Sequence, residues 1–168
     1  MCAAGGAVFE RFTRDARATV GRAADAARRL GAEQVEPEHL LLGLAEGSTP
    51  AARAIAEAGM DAATISATIE ADLIAMLEVV GVPASVVDAT PAAPRADRPG
   101  FGVHGRRALE QALREAVRRH DRRLGAEHVL LGTLHAPSPT LARVLARLDV
   151  EPERLAAIVE VEVAAGRR

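Results

Sequence analysis

Lysine is absent from this chain, as are tryptophan and tyrosine, and cysteine occurs once. Each absence excludes a chemistry. Without lysine there is no phosphate-gripping Walker motif, since the glycine-rich turn of a P-loop ends in GK[ST] and the ammonium reaches the outer phosphates. A single thiol, Cys2, forms no internal disulfide and fits a reducing cytosol, and no charged or apolar signal region surrounds it. No apolar run approaches the roughly 18 residues a membrane span requires. Aromatics make up only 2% of a chain that is 49% hydrophobic, so the core must be built from Ala, Leu, Val and Ile on helices packed close together. Only four serines occur, and none sits in a GxSxG turn or beside an evident triad, so the expectation is a protein without catalysis and without a cofactor. The 21 basic residues are all arginine, as the codon bias of a GC-rich genome would produce, and the net charge of -2 offers no overall attraction to nucleic acid or anionic lipid.

What is present is a repeat. EHLLLGLAEG at 38–47 returns as EHVLLGTLHA at 127–136. Val20, Ala23, Ala24 and Ala27 line up with Leu109, Ala112, Leu113 and Ala116. After a one-residue insertion, Ala52-Arg53-Ala54-Ile55 falls opposite Ala142-Arg143-Val144-Leu145. Ile65, Ile69 and Leu73 match Leu155, Val159 and Val163. A period this long describes a two-copy domain, not a solenoid.

The spacing of apolar residues is helical almost throughout. Phe12, Ala16, Val20, Ala23, Ala27 and Leu30 place one stripe along a first helix that Gly31 stops. A short second helix runs from about Pro37 to Glu46, Thr49-Pro50 opens a third that Gly59 closes, and Asp61 caps a fourth. The second copy retains these signals with different letters, Ser138-Pro139 for Thr49-Pro50 and Glu151-Pro152 for Asp61. The pattern predicts an all-α protein of eight helices, as two four-helix repeats about a pseudo-two-fold, with no sheet. The first repeat is expected over 8–80 and the second over 101–164. The Pro- and Ala-rich stretch VPASVVDATPAAPRADRPG marks a linker at 81–100.

VFERFT at 8–13, the two EH[LV]LLG segments and ALEQALREA at 108–116 resemble the double N-terminal repeat of Clp-type AAA+ unfoldases, nearest the ClpC branch, over residues 8–163. The resemblance implies an all-helical pseudo-dimer that receives substrates and adaptors for a ClpC-type unfoldase and its protease, here without the ATPase ring. The chain would then be a sequestering decoy or an adaptor of the Clp proteolysis system, located in the bacterial cytoplasm.

The resemblance also implies site residues. Glu38 and Glu127 correspond to the pair that binds arginine-phosphorylated substrates. A carboxylate can grip a guanidinium in a fork while amides or hydroxyls at a helix start hold the phosphate. Thr13 matches the hydroxyl accompanying the first site, and Gly102 stands in its place in the second copy. Phe9 and Phe101 resemble the aromatics of a groove that takes cyclic peptide antibiotics. The same residues also have structural readings. A first-turn Glu complements the helix macrodipole without any ligand, Phe9 and Phe101 suit helix-entry staples, and His39 and His128 suit half-buried residues bonded to a neighbouring loop. His128 and His135 share a helix face but no third ligand stands at useful spacing, so no metal site is expected. Phe12 belongs to the core. Glu36-Pro37 replaces the family's usual Gly-Thr, and His120 replaces a Gly. The alternative function is nucleic-acid binding through the seven arginines between Arg106 and Arg123, although no aromatics interleave them.

Overall fold

The computed structural model describes residues 10–83, 85 and 99–166. Eight helices occur among them. The first copy holds α1 (Arg14–Arg29), α2 (Pro37–Ala45), α3 (Pro50–Glu57) and α4 (Ala62–Val79). The second holds α5 (Val103–Arg118), α6 (Ala126–His135), α7 (Pro139–Arg147) and α8 (Pro152–Gly166). Most of the expected linker, and Phe9 with it, lies outside the described residues.

The start signals act as the sequence suggests. Thr49, Asp61 and Ser138 each accept a hydrogen bond from the amide three residues on, satisfying a donor that the helix itself leaves unpaired. Gly31 and Gly59 sit at φ 68° and 84°, where a Cβ is costly. In the second copy these positions are His120 and Asp149, held at φ 57° and 54°.

Helices α2 and α6 form the centre. Leu40, Leu41, Leu42 and Leu44, and likewise Val129, Leu130, Leu131 and Leu134, are buried, which is the all-round apolar pattern of an interior helix. The motif glycine explains how a core without large aromatics fills. A Cβ on Gly43 would lie 2.7 Å from the Ala23 amide nitrogen, and one on Gly132 would lie 2.4 Å from that of Ala112. Backbone therefore meets backbone where α1 crosses α2 and where α5 crosses α6.

The copies interlock. Helices α2 and α6 pack on each other, α3 packs against α8, and α4 packs against α7, so each copy's last helix lies on the third helix of the other. One ion pair repeats across both contacts. Arg143 on α7 forks onto Asp72 on α4 at 2.9–3.1 Å, and the equivalent Arg53 on α3 meets Glu162 on α8 at 2.7 Å.

One expectation fails. A two-residue parallel pairing joins β1 (Gln34–Val35) to β2 (Gly100–Phe101), and an isolated bridge joins Phe12 to Leu124. The pseudo-two-fold brings the extended residues before α2 beside those before α5, and those before α6 beside those before α1. Pairing satisfies backbone groups that would otherwise be buried without partners.

Candidate functional site

These two bridges define two related edges. At the first, the Thr13 amide donates to the Leu124 carbonyl at 2.9 Å and the Leu124 amide donates to Arg11 at 2.8 Å. At the second, the Gly102 amide donates to the Val35 carbonyl at 3.0 Å. The backbone at Thr13 in one copy thus lies beside the residues that lead into the motif helix of the other. Thr13 caps the start of α1, whereas Glu38 shares a pocket wall with Leu30 and Gly31 at its far end. Sixteen residues at about 1.5 Å each put roughly 24 Å between the two ends of α1. On the other side of this edge the Glu127 carboxylate lies against Gly125, the residue after Leu124, with its oxygens 2.4 Å from where a Cβ of that glycine would stand.

The two motif carboxylates have different surroundings. Glu38 is 7% exposed and accepts a 2.6 Å hydrogen bond from Ser138 Oγ, which also accepts from the Leu141 amide. It ties α2 to the cap of α7. Glu127 is half-buried, with no cross-copy hydrogen bond among the described residues, and approaches His128 Nδ1 at 3.5 Å.

Glu36, which sequence reasoning noted only as a departure from the usual Gly-Thr, is the main residue it missed. Its Oε2 accepts from the Gly105 amide at 2.7 Å, and its carboxylate fills the space a side chain at Gly102 would need. Gly102 offers no cap to α5, and Glu36 supplies one from the other copy. At the first edge Thr13 caps α1 itself, and the residue equivalent to Glu36 is Gly125. Exposed charge differs in the same sense. Exposed Arg11, Arg14, Arg122 and Arg123 adjoin the first edge in sequence, with Glu10 and Asp15 beside them, whereas Glu33 and Gln34 stand where Arg122 and Arg123 would fall at the second.

The histidines of the motif accept the same backbone hydrogen bond in both copies. The Glu36 amide donates to His39 Nδ1 and the Gly125 amide to His128 Nδ1, each at 3.0 Å, as the far half of a capping box. Burial, opposed by the nearby Glu36 charge, pushes His39 down to about 4. His128 Nε2 lies 3.0 Å from Asp121. Among the described residues no group of three His, Cys, Asp or Glu could hold a metal ion.

Phe101 is half-buried against the core, and its register counterpart is Phe12, not Phe9: both occupy the bridging position before a first helix. Phe12 is fully buried. In the arginine run, Arg118 pairs with Glu115 and Arg119 with Glu160, each at 2.6 Å, so part of that charge is neutralised within the fold. Burial works to raise the Glu115 carboxyl, but the Arg118 hydrogen bond and the Arg118, His135 and Arg119 charges outweigh it and hold the group below its ordinary range.

A duplicated helical domain with two inequivalent edges is the class this geometry defines. The model of the Clp repeat (R) N-terminal domain matches residues 11–97, just over half the chain, and the chain belongs to that family. It is 33% identical over 151 residues to the chloroplastic ClpA homolog of Brassica napus, an ATP-dependent Clp protease ATP-binding subunit, covering 89% of this chain and 15% of that protein. Chloroplastic chaperone protein ClpC1 of Arabidopsis thaliana is likewise 33% identical over 151 residues, with 89% and 14% covered. The chain therefore spans about 15% of the length of these curated relatives. The N-terminal domain of the caseinolytic-protease-associated chaperone ClpD from Arabidopsis thaliana superposes with a TM-score of 0.72 at 23% identity, covering 95% of this chain and 99% of that one. The Hsp104 N-terminal domain from Candida albicans does so at 0.60 and 15%, with 88% of each chain covered. At these identities the likeness is one of fold.

Proposed function

We propose that the chain is a non-catalytic module of the Clp proteolysis system that receives protein segments, and that it takes arginine-phosphorylated ones at the edge formed by Thr13, Gly125 and Glu127. The observation that carries this reading is the convergence there of two helix starts, a hydroxyl and a carboxylate, with exposed Arg11, Arg14, Arg122 and Arg123 at the adjoining sequence positions. Thr13 Oγ1 accepts from the Ala16 amide and keeps its own proton to donate. Helix starts and arginines favour a phosphate. Glu127 then accepts the guanidinium hydrogens. No lysine exists in these 168 residues to serve a P-loop, so unfolding work belongs to an ATPase outside them, which the module serves as adaptor or deprives of clients as decoy.

Calorimetric titration with phosphoarginine tests this. Glu127→Ala and Thr13→Val are expected to weaken binding at least roughly tenfold, a loss of about 1.4 kcal/mol. Glu38→Ala should leave it within about twofold of the parent. Unchanged affinity in Glu127→Ala overturns the assignment.

A further inference from the structure

A second surface carries its own chemistry. A pocket of about 360 Å³ opens between α4, the end of α1, the start of α2 and the facing side of α7. Leu30, Ile69, Leu73 and Met76 make its apolar wall, and Leu73 and Met76 are each 48% exposed. Three carboxylates, Glu38, Glu70 and Asp72, line it against one guanidinium, Arg143, already forked onto Asp72. His39 also lines it and is 4% exposed. Because Nδ1 accepts from the Glu36 amide, the neutral ring carries its proton on Nε2, and that N–H has no hydrogen-bond partner among the described residues.

The equivalent surface of the second copy is closed by its own side chains. Arg119 stands where Leu30 does and bonds to Glu160, the counterpart of Glu70, at 2.6 Å. Asp121 stands where Ala32 does and meets His128 Nε2 at 3.0 Å. Both internal partners are missing in the first copy, which leaves a donor and carboxylate acceptors above bare aliphatic surface.

We propose that this first-copy pocket docks a peptide segment in which an aliphatic side chain adjoins a basic one. The aliphatic group covers Leu30, Ile69, Leu73 and Met76. A main-chain carbonyl accepts from His39 Nε2, and the basic group reaches Glu70 and Glu38. Charge selects the occupant: Asp72 is held by Arg143 and Arg147, which leaves the Glu38 and Glu70 carboxylates to repel an acidic segment. The inference rests on the reading of this chain as a receiver of protein segments, but α1 separates the pocket from the phosphoarginine edge.

Fluorescence anisotropy tests it with a labelled, end-capped Gly-Ser peptide carrying one Leu-Arg pair, beside Ser-Arg and Leu-Glu versions. Both controls are expected to bind at least roughly tenfold more weakly. Leu30→Arg, which installs the second copy's closure by reaching Glu70, should cause a similar loss without altering phosphoarginine affinity, and Glu127→Ala should do the reverse. Equal binding of the Leu-Arg and Leu-Glu peptides overturns the proposal. So does absence of Leu-Arg binding to a parent chain that still binds phosphoarginine. Leu-Arg binding without phosphoarginine binding would instead leave the pocket standing and remove the edge. A shift of the His39 Nε2 resonance on adding the Leu-Arg peptide is expected in the parent chain, and its absence at saturation counts against the proposed contact even if Leu30→Arg fails to fold.

Discussion

Glu36 and Gly125 occupy the same position in the two copies, the residue before each motif helix, and they give the two edges opposite characters. Glu36 reaches across to the start of α5 and accepts the Gly105 amide. Gly125 reaches nowhere, so the related edge is left to Thr13 and Glu127. Leu30 and Arg119 differ in the same way, one open and one tied to Glu160. By contrast, Gly43 and Gly132 are the same residue under the same constraint, and Asp72–Arg143 and Glu162–Arg53 are the same ion pair. Duplication has kept what holds the helices together and changed the side chains at the two edges and at the end of each first helix.

The comparison breaks most readily at the shared glycines. Gly43→Ala and Gly132→Ala should each cost about 3 kcal/mol or more, because the clashing atoms are backbone and cannot rotate away. Urea unfolding reads this, and a neutral result in either copy would show that the two crossings are not equivalent. Next is pH. His39 ionises near 6.5 when unfolded and near 4 when folded, so the unfolded chain binds the extra proton between these values. Its contribution is fully present above about 6.5 and is lost as pH falls toward 4, on the order of 3 kcal/mol in all. Urea midpoints at neutral pH and near the folded value should converge in His39→Gln relative to the parent, since the amide can accept from Glu36 without titrating.

The ion pairs sharpen the comparison further. Asp72 is 2% exposed and holds Arg143 with two oxygens, so Asp72→Ala should lose about 2 kcal/mol. Glu162 faces an arginine whose side chain is 57% exposed, and Glu162→Ala should lose under about 1 kcal/mol. Equal losses would mean burial does not separate the two contacts. The smallest effect is at the positive-φ pair. His120→Gly and Asp149→Gly should each stabilise by up to about 0.5 kcal/mol, the relief of left-handed strain less the entropy glycine adds to the unfolded chain.

Much of the scaffold was legible because its signals are local. Thr49, Asp61 and Ser138 cap helices from within three residues, and the paired stripes gave both copies their core faces. The site was less legible because its contacts run between copies. A constant offset shows that Thr13 corresponds to Gly102, yet it does not show that Thr13 sits beside Leu124. Phe9 and Phe101 share a place before a first helix in the sequence, whereas the β-bridges put Phe12 in register with Phe101. Glu36 was visible only as an unusual letter. Its partner, Gly105, lies 69 residues away, and nothing local announces a cap delivered from another copy. Ser138 reads locally as a cap, and its second role, bonding Glu38 across 100 residues, has no sequence signal.

The most direct test of two inequivalent edges is a titration of the isotopically labelled chain with phosphoarginine, following backbone amide resonances. The account predicts that the Thr13 and Gly125 amides shift and saturate while Gly102 and Gly105, held against Val35 and Glu36, stay in place. Equal, concurrent shifts at both pairs would contradict it.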